Sequence, residues 1–219
     1  KGETIGIIGG TGSGKTSLIN LIPRFYDVRQ GEVLVDGVDV KEYPFSQLRG
    51  MIGIVPQKAV LFKGTIRHNM QWRDKNDEDI WNALDIAQAK DFVEKKPDKL
   101  DEMILQEGKN LSGGQRQRLT IARALVGGPE ILILDDSASA LDLATDARLR
   151  KAIHEKTSGM TVFIVSQRIS SIKSADKIIV LDDGKIAGIG THSELYNGCE
   201  GYKEICLSQL SEKEAQANG

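Results

Sequence analysis

The chain opens on a short apolar run. Residues 4–8 (TIGII) lie beside glycines, as a strand buried on both faces would. Helical sequence follows from 14 to 22 and is expected to stop at Pro23, which has no N–H to donate. GEVLVDG (31–37) alternates between turn residues, and MIGIVPQ (51–57) is apolar up to Pro56; both predict strands. From 64 to 126 the period changes. Ile80, Leu84 and Ala87 recur at helical spacing, as do Leu119, Ala122, Leu125 and Val126, so this stretch predicts a helical insertion. Strand runs return at 131–134, 161–165 and 177–181. Helical sequence separates them, and Leu149, Ala152 and Ile153 mark the apolar face of the first intervening helix. Strands alternating with helices argue for a mainly parallel sheet covered on both sides. THSE (191–194) fits a capping box with Thr191 as cap and Glu194 returning the bond. The polar tail SEKEAQANG (211–219) is expected to fray.

Composition narrows the classes. The chain has 219 residues, 40% hydrophobic and 27% charged, which is ordinary for a globular domain. A net charge of −2 leaves no electrostatic footprint for nucleic acid. No apolar run approaches the ~18 residues of a membrane span. The first residues already read as strand, with no initiator Met, so a piece cut from a longer chain is expected. Cys199 and Cys206 lack metal or redox spacing and read as free thiols of a reducing compartment. His68, His154 and His192 are scattered, and none is assigned a metal.

Candidate chemistry begins at GGTGSGKT (9–16), which fits G-x-x-x-x-G-K-[ST] between a strand and a helix. Gly9, Gly10, Thr11, Gly12, Ser13 and Gly14 would turn backbone N–H groups toward phosphate oxygens at a helix start, with Ser17 just beyond. Lys15 would supply a point charge for the outer phosphates, and the Thr16 hydroxyl can ligate Mg²⁺. ILIL (131–134) then delivers Asp135 at the end of a buried strand, as a partner acid for that metal, acting through water. The adjacent Asp136 needs a separate explanation. Upstream, NLSGGQRQRLTIARAL (110–125) starts a second helix with Ser112 as N-cap. Gly113 and Gly114 cost a helix roughly 1 kcal/mol each relative to Ala. Their use would be close approach of backbone to a ligand. A second anion-binding helix start without its own Lys suggests a site completed by another molecule.

LSGGQ lying between a phosphate loop and ILILDD resembles the ATP-binding domain of ABC transporters. Gln57 in VPQKAVLFKGTI is similar to the family's glutamine loop, and SALD (139–142) to its dimer-interface loop. ADKIIVLDDGKIAGIGTHSEL (175–195) resembles the tail of exporter-type domains. The resemblance spans nearly the whole chain. It implies an α/β fold: a P-loop NTPase core (1–63 and 129–191) with a mainly parallel sheet, a small antiparallel strand portion, a helical subdomain (64–128) and C-terminal helices and tail (192–219). It also implies ATP and Mg²⁺ as cofactors, with Thr16, Gln57 and Asp135 around the metal. Two ATP sites of a head-to-tail dimer follow, each pairing one phosphate loop with the partner's Leu111, Ser112, Gly113, Gly114 and Gln115. Ser139 and Asp142 would lie in the dimer loop. A transmembrane domain in the intact protein is implied, and with it a place at the cytoplasmic face of the membrane. The family's adenine-stacking aromatic lies upstream of the phosphate loop and has no counterpart in this sequence.

Two positions depart from the family. The residue after the metal Asp is usually Glu and is here Asp136, about 1.3 Å shorter in reach. The switch loop after TVFIV usually carries His and here carries Gln167, which cannot hold a proton or a charge. The pattern resembles the degenerate half of a heterodimeric, multidrug-type exporter. In it the catalytic set is Asp136, Gln167 and Lys15, and LSGGQ serves a different subunit's site. The alternatives are a fully active homodimeric exporter domain, a soluble non-transport ABC ATPase, and a nonenzymatic ATP-gated dimerisation module.

Overall fold

The computed structural model describes residues 1–71, 76–137, 140–157 and 159–209. The order is β1 (Thr4–Gly9), α1 (Lys15–Ile19), β2 (Leu34–Val35), β3 (Val38–Asp39), α2 (Phe45–Gly50) and β4 (Ile52–Val55). There follow β5 (Gly64–Thr65), α3 (Ile66–Met70), α4 (Asp77–Ile86), α5 (Lys90–Glu94), β6 (Met103–Ile104) and α6 (Gly113–Leu125). The chain closes with β7 (Ile131–Asp135), α7 (Leu143–Lys156), β8 (Thr161–Val165), α8 (Ile169–Ile172), β9 (Lys177–Asp182), β10 (Lys185–Gly190), α9 (His192–Gly198) and α10 (Glu200–Gln209).

Six strands form one sheet in the order β10-β9-β1-β8-β7-β4. β1 lies parallel to β8 and β9, and β7 parallel to β8 and β4; β10 runs antiparallel on β9. The fold is thus α/β with a mainly parallel sheet flanked by helices, and β2–β3 and β5–β6 add two small antiparallel pairs. Both sheet faces are buried, which explains the unbroken apolar runs. Ile8, Leu132, Leu134, Val162 and Ile164 point into one core, with Leu84, Leu119 and Ile153 from the helices. Ile7, Ile133 and Val165 point into the other, against Ile19, Val35 and Leu48. Successive residues of one strand feed opposite cores because side chains alternate at period two.

Register places the chemistry. Val165 pairs with both Ile7 and Asp135, and Leu134 pairs with Val55. The C-terminal ends of β1, β4, β7 and β8 therefore lie level along one sheet edge. That edge carries the glycine loop, Gln57, the acid pair and Gln167, the arrangement expected of a ligand crevice in a parallel sheet.

Local expectations hold with three corrections. The helical faces at Ile80, Leu84 and Ala87, at Leu119, Ala122, Leu125 and Val126, and at Leu149, Ala152 and Ile153 are buried. Thr191 and Glu194 make the capping box. The helix expected over 14–22 ends at Ile19. Leu21 and Ile22 instead donate three residues back, to Leu18 and Ile19. Pro23 would clash with the Ile19 carbonyl in a continuing α-helix, so the chain tightens before reaching it. The strand expected over 31–37 is only Leu34–Val35, folded back on β3 through Asp36 and Gly37 at φ 49° and 80°. Asp183 and Gly184, at φ 43° and 74°, make the same kind of turn into β10, which periodicity did not reveal. Asp-Gly with two positive φ values is the favoured two-residue hairpin turn. The tail 211–219 lies outside the described residues.

Candidate functional site

The glycine loop leaves β1 against the sheet. A Cβ at Gly9 would lie 2.0 Å from the Leu181 carbonyl oxygen of β9, so only glycine fits there. Gly14 caps α1 at φ 93°, a left-handed conformation that ordinary residues resist. Lys15, the first residue of α1, is buried. Its ammonium donates to Gly9 O (2.9 Å), Gly10 O (2.7 Å) and Ser13 Oγ (3.3 Å). Burial pulls the Lys15 ammonium below its ordinary value, and Asp136 and then Asp135 oppose that shift. Gly10, Thr11, Gly12, Thr16 and Ser17 are exposed on the loop, while Ser13 is buried beneath it.

Thr11, Gly12, Lys15, Thr16, Gln57, Asp135, Asp136, Ser166 and Gln167 line one cleft of about 150 Å³. Asp135 is buried at the end of β7 and accepts from Thr16 Oγ1 at 3.2 and 3.0 Å. Burial pushes its carboxyl above the usual range; the Thr16 bond opposes this, Asp136 adds to it, and Lys15 opposes it. Asp136 follows at φ 46°, a conformation its short polar side chain tolerates. Its N–H donates to Val165 O (2.9 Å), and its Oδ2 accepts from Gln57 Nε2 (3.2 Å). Gln57, expected beside the metal, is thus bonded to the second acid. Ser166, which sequence reasoning passed over, is buried behind Gln167, and its Oγ accepts from Arg168 N–H (3.0 Å).

The residues present fit a magnesium ion. Thr16 Oγ1 and the Asp135 oxygens are 3.0–3.2 Å apart. Neighbouring oxygens of an octahedral shell at 2.0–2.1 Å are about 2.9 Å apart. No cluster of three or more His, Cys, Asp or Glu suited to a metal occurs among the described residues. One carboxylate with one hydroxyl, completed by water and phosphate, is the donor set magnesium accepts.

The second glycine motif lies elsewhere. Leu111, Ser112, Gly113, Gly114 and Gln115 do not line the phosphate cleft. Ser112 and Gln115 make a reciprocal capping box on α6, and Leu111 is buried. Gly113 borders a separate cleft with Lys58, Glu107, Lys109 and Gln117. Gln117 is 2% exposed, and among the described residues its Nε2 has no hydrogen-bond partner. Its signal in the sequence was only a polar residue on the apolar side of an amphipathic helix. Asp142 is the N-cap of α7, accepting from Thr145 N–H (2.9 Å) and Thr145 Oγ1 (2.8 Å). Ser139 lies outside the described residues.

A parallel sheet whose strand ends gather a glycine-rich loop, a buried lysine and a carboxylate pair defines a phosphate-binding α/β domain. The chain belongs to the ABC transporter family, whose sequence profile matches residues 1–139, and it is homologous to transport-coupled ATPases. It is 46% identical over 213 residues to an uncharacterized ABC transporter ATP-binding protein of Mycobacterium tuberculosis, covering 95% of this chain and 36% of that protein. It is 41% identical over 215 residues to an ATP-dependent lipid A-core flippase of Vibrio vulnificus, covering 97% and 37%. The structure of a bacterial Atm1-family ABC exporter with ATP bound superposes with a TM-score of 0.92 at 36% identity, covering 96% of this chain and 38% of that one. The chain thus spans under two-fifths of the length of these relatives. No helix among the described residues is long and apolar enough to cross a membrane.

Proposed function

We propose that this chain is the ATP-binding domain of an ABC exporter and that it couples Mg-ATP binding and hydrolysis to export. It would work at the cytoplasmic face of the membrane, with a transmembrane domain in the intact protein. The observation that carries this reading is the single cleft joining Lys15, Thr16, Asp135, Asp136 and Gln167. The Atm1-family exporter and the lipid A-core flippase among its relatives favour export over a soluble, non-transport role. Gly10, Thr11, Gly12 and Ser13 would cradle the phosphates with Gly9 and Gly14 shaping the loop, and Ser17 would sit at the start of α1 behind them. Magnesium, held by Thr16 and Asp135 with Gln57 nearby, would neutralise charge on the terminal phosphates.

We further infer that this pocket is degenerate and is closed by a second ATP-binding domain, a different subunit. Asp136 is short, and its backbone is tied to Val165 O, so its carboxylate cannot advance with the chain. Gln57 already engages one of its oxygens. A base displaced by about 1 Å can lose on the order of 100-fold in rate. Gln167 can donate to a γ-phosphate but cannot carry a proton. The LSGGQ segment favours a partner: among the described residues, a Cβ at Gly113 would meet nothing nearer than 4.0 Å, so they do not themselves require glycine there. In this reading Leu111–Gln115 serve the partner's nucleotide, and Ser139 and Asp142 lie along the dimer seam. The helical stretch 64–128 is the part that meets the membrane domain.

The test is steady-state ATP hydrolysis under conditions that permit dimers. Wild-type chain alone is expected to bind Mg-ATP and turn over very slowly, and Asp136→Glu with Gln167→His to turn over faster. Equal rates would remove the degenerate reading. Ser112→Arg should leave ATP binding to the chain intact while crippling the site of a partner that carries Glu and His at the two positions.

A further inference from the structure

The loop after β8 is gripped from outside the cleft by the last described residue of α10. Gln209 Nε2 donates to the Gln167 carbonyl at 2.6 Å, and Gln209 Oε1 accepts from Ile169 N–H at 2.9 Å. These two backbone groups flank Arg168, so one side-chain amide meets them as a neighbouring strand would. α8 begins at Ile169, and its N-cap residue Arg168 supplies no side-chain cap, so Gln209 takes that place. On the cleft side the loop is fixed by Ser166, whose N–H donates to Ile7 O at 3.1 Å and whose Oγ accepts from Arg168 N–H. Gln167 thus has its preceding residue anchored in the sheet and its own carbonyl held from 42 residues away.

We propose that Gln209 is a positioning residue for the nucleotide site: its clamp fixes the backbone of Gln167 so that the Gln167 amide faces the γ-phosphate. This rests on the reading of Gln167 given above. Gln209 is exposed at the end of α10, so its removal should leave the core and the fold intact. Its effect falls on the direction in which Gln167 points. C-terminal residues thereby bear on chemistry at the carboxyl end of β8, and displacement of α10 would loosen the γ-phosphate contact without touching the phosphate loop.

Two substitutions separate positioning from capping. Gln209→Ala removes both bonds. Gln209→Glu keeps an acceptor for Ile169 N–H but has no donor for the Gln167 carbonyl, and sets two oxygens against each other. The readout is the ratio of ADP to ATP dissociation constants of the 219-residue chain with magnesium. Contacts shared by the two nucleotides cancel in that ratio, which isolates the γ-phosphate. Both variants should lower it by about three- to tenfold, the range of one hydrogen bond of ordinary strength. The affinity for ADP should stay unchanged, and the melting temperature should fall by no more than a few degrees, the scale of a lost helix cap. Combined with Gln167→Ala, neither should lower the ratio further, because the two residues act through one contact. A ratio lowered by Gln167→Ala but unchanged in Gln209→Glu overturns the positioning role alone, as do additive effects. A ratio unchanged in Gln167→Ala overturns the reading of Gln167 and this proposal with it.

Discussion

Two glycine-rich segments open helices in this chain, and they are built in opposite ways. The loop before α1 is closed on its own fold. Gly9 sits where a Cβ would strike the Leu181 carbonyl, and Lys15 is buried with three acceptors around its ammonium. The segment before α6 is open. Among the described residues, Gly113 is exposed and a Cβ there would meet nothing nearer than 4.0 Å, and the nearest atom to a Cβ at Gly114 is Ala140 O at 3.4 Å. Glycine demanded by the surrounding fold and glycine kept for a visiting molecule look alike in a sequence. They differ in what a methyl group would meet.

The largest effect expected from this contrast is on nucleotide affinity. Lys15→Ala should weaken Mg-ATP binding to the chain roughly a hundredfold, the upper range for a hydrogen bond to a charged group. Gln115→Ala, in the first turn of the other helix, should leave that affinity unchanged. Equilibrium titration with a fluorescent ATP analogue reads both. Comparable losses would mean that the two segments serve one pocket in the same chain, and the division between them would be wrong.

A smaller effect separates the glycines by stability. Gly9→Ala forces a methyl against backbone and should cost about 1–3 kcal/mol, as overpacking does. Gly113→Ala should fall within about 0.5 kcal/mol of wild type, in the stabilising direction if anything, since alanine narrows the unfolded ensemble. Urea denaturation of the two variants side by side is sufficient. A Gly113→Ala cost as large as that of Gly9→Ala would show that the fold does need this glycine.

The sequence revealed the site's parts more readily than their connections. The phosphate loop is contiguous, and its strand and helix flank it, so its form follows from a few residues. The placement of Asp135 is legible because a buried parallel strand ends in a crevice. Three other features were hidden. The hairpins at Asp36–Gly37 and Asp183–Gly184 carry a turn signal, but apolar period alone runs over it; Leu34 and Ile186 are exposed and do not advertise an inner face. The bond from Gln57 to Asp136 joins side chains 79 residues apart, and nothing local in either loop anticipates it. The grip of Gln209 on Gln167 O and Ile169 N–H comes from an ordinary polar residue at a helix end. Its partners are backbone atoms, which leave no mark in composition. Contacts fixed by tertiary geometry between generic residues are the part a single sequence does not show.

The smallest effect concerns how the two neighbourhoods are capped. α6 begins at Ser112, a hydroxyl cap that does not titrate, whereas α7 begins at Asp142, a carboxylate. The backbone and side-chain bonds from Thr145 hold the Asp142 carboxyl below its ordinary value of 3.8. Because the folded value is depressed, the stabilisation from this cap is full above 3.8 and declines as pH falls through the folded value. Acid should therefore loosen the start of α7, beside the acid-pair loop, and spare the start of α6. Asp142→Asn keeps an acceptor for Thr145 N–H but removes the charge. The urea midpoint of wild type relative to this variant should hold constant from roughly pH 6 down to about pH 4.5 and fall toward pH 3. Ser112→Ala should instead shift the midpoint by an amount independent of pH. A wild-type advantage over Asp142→Asn that grows as the pH falls would reverse the sign and remove the carboxylate from the α7 cap.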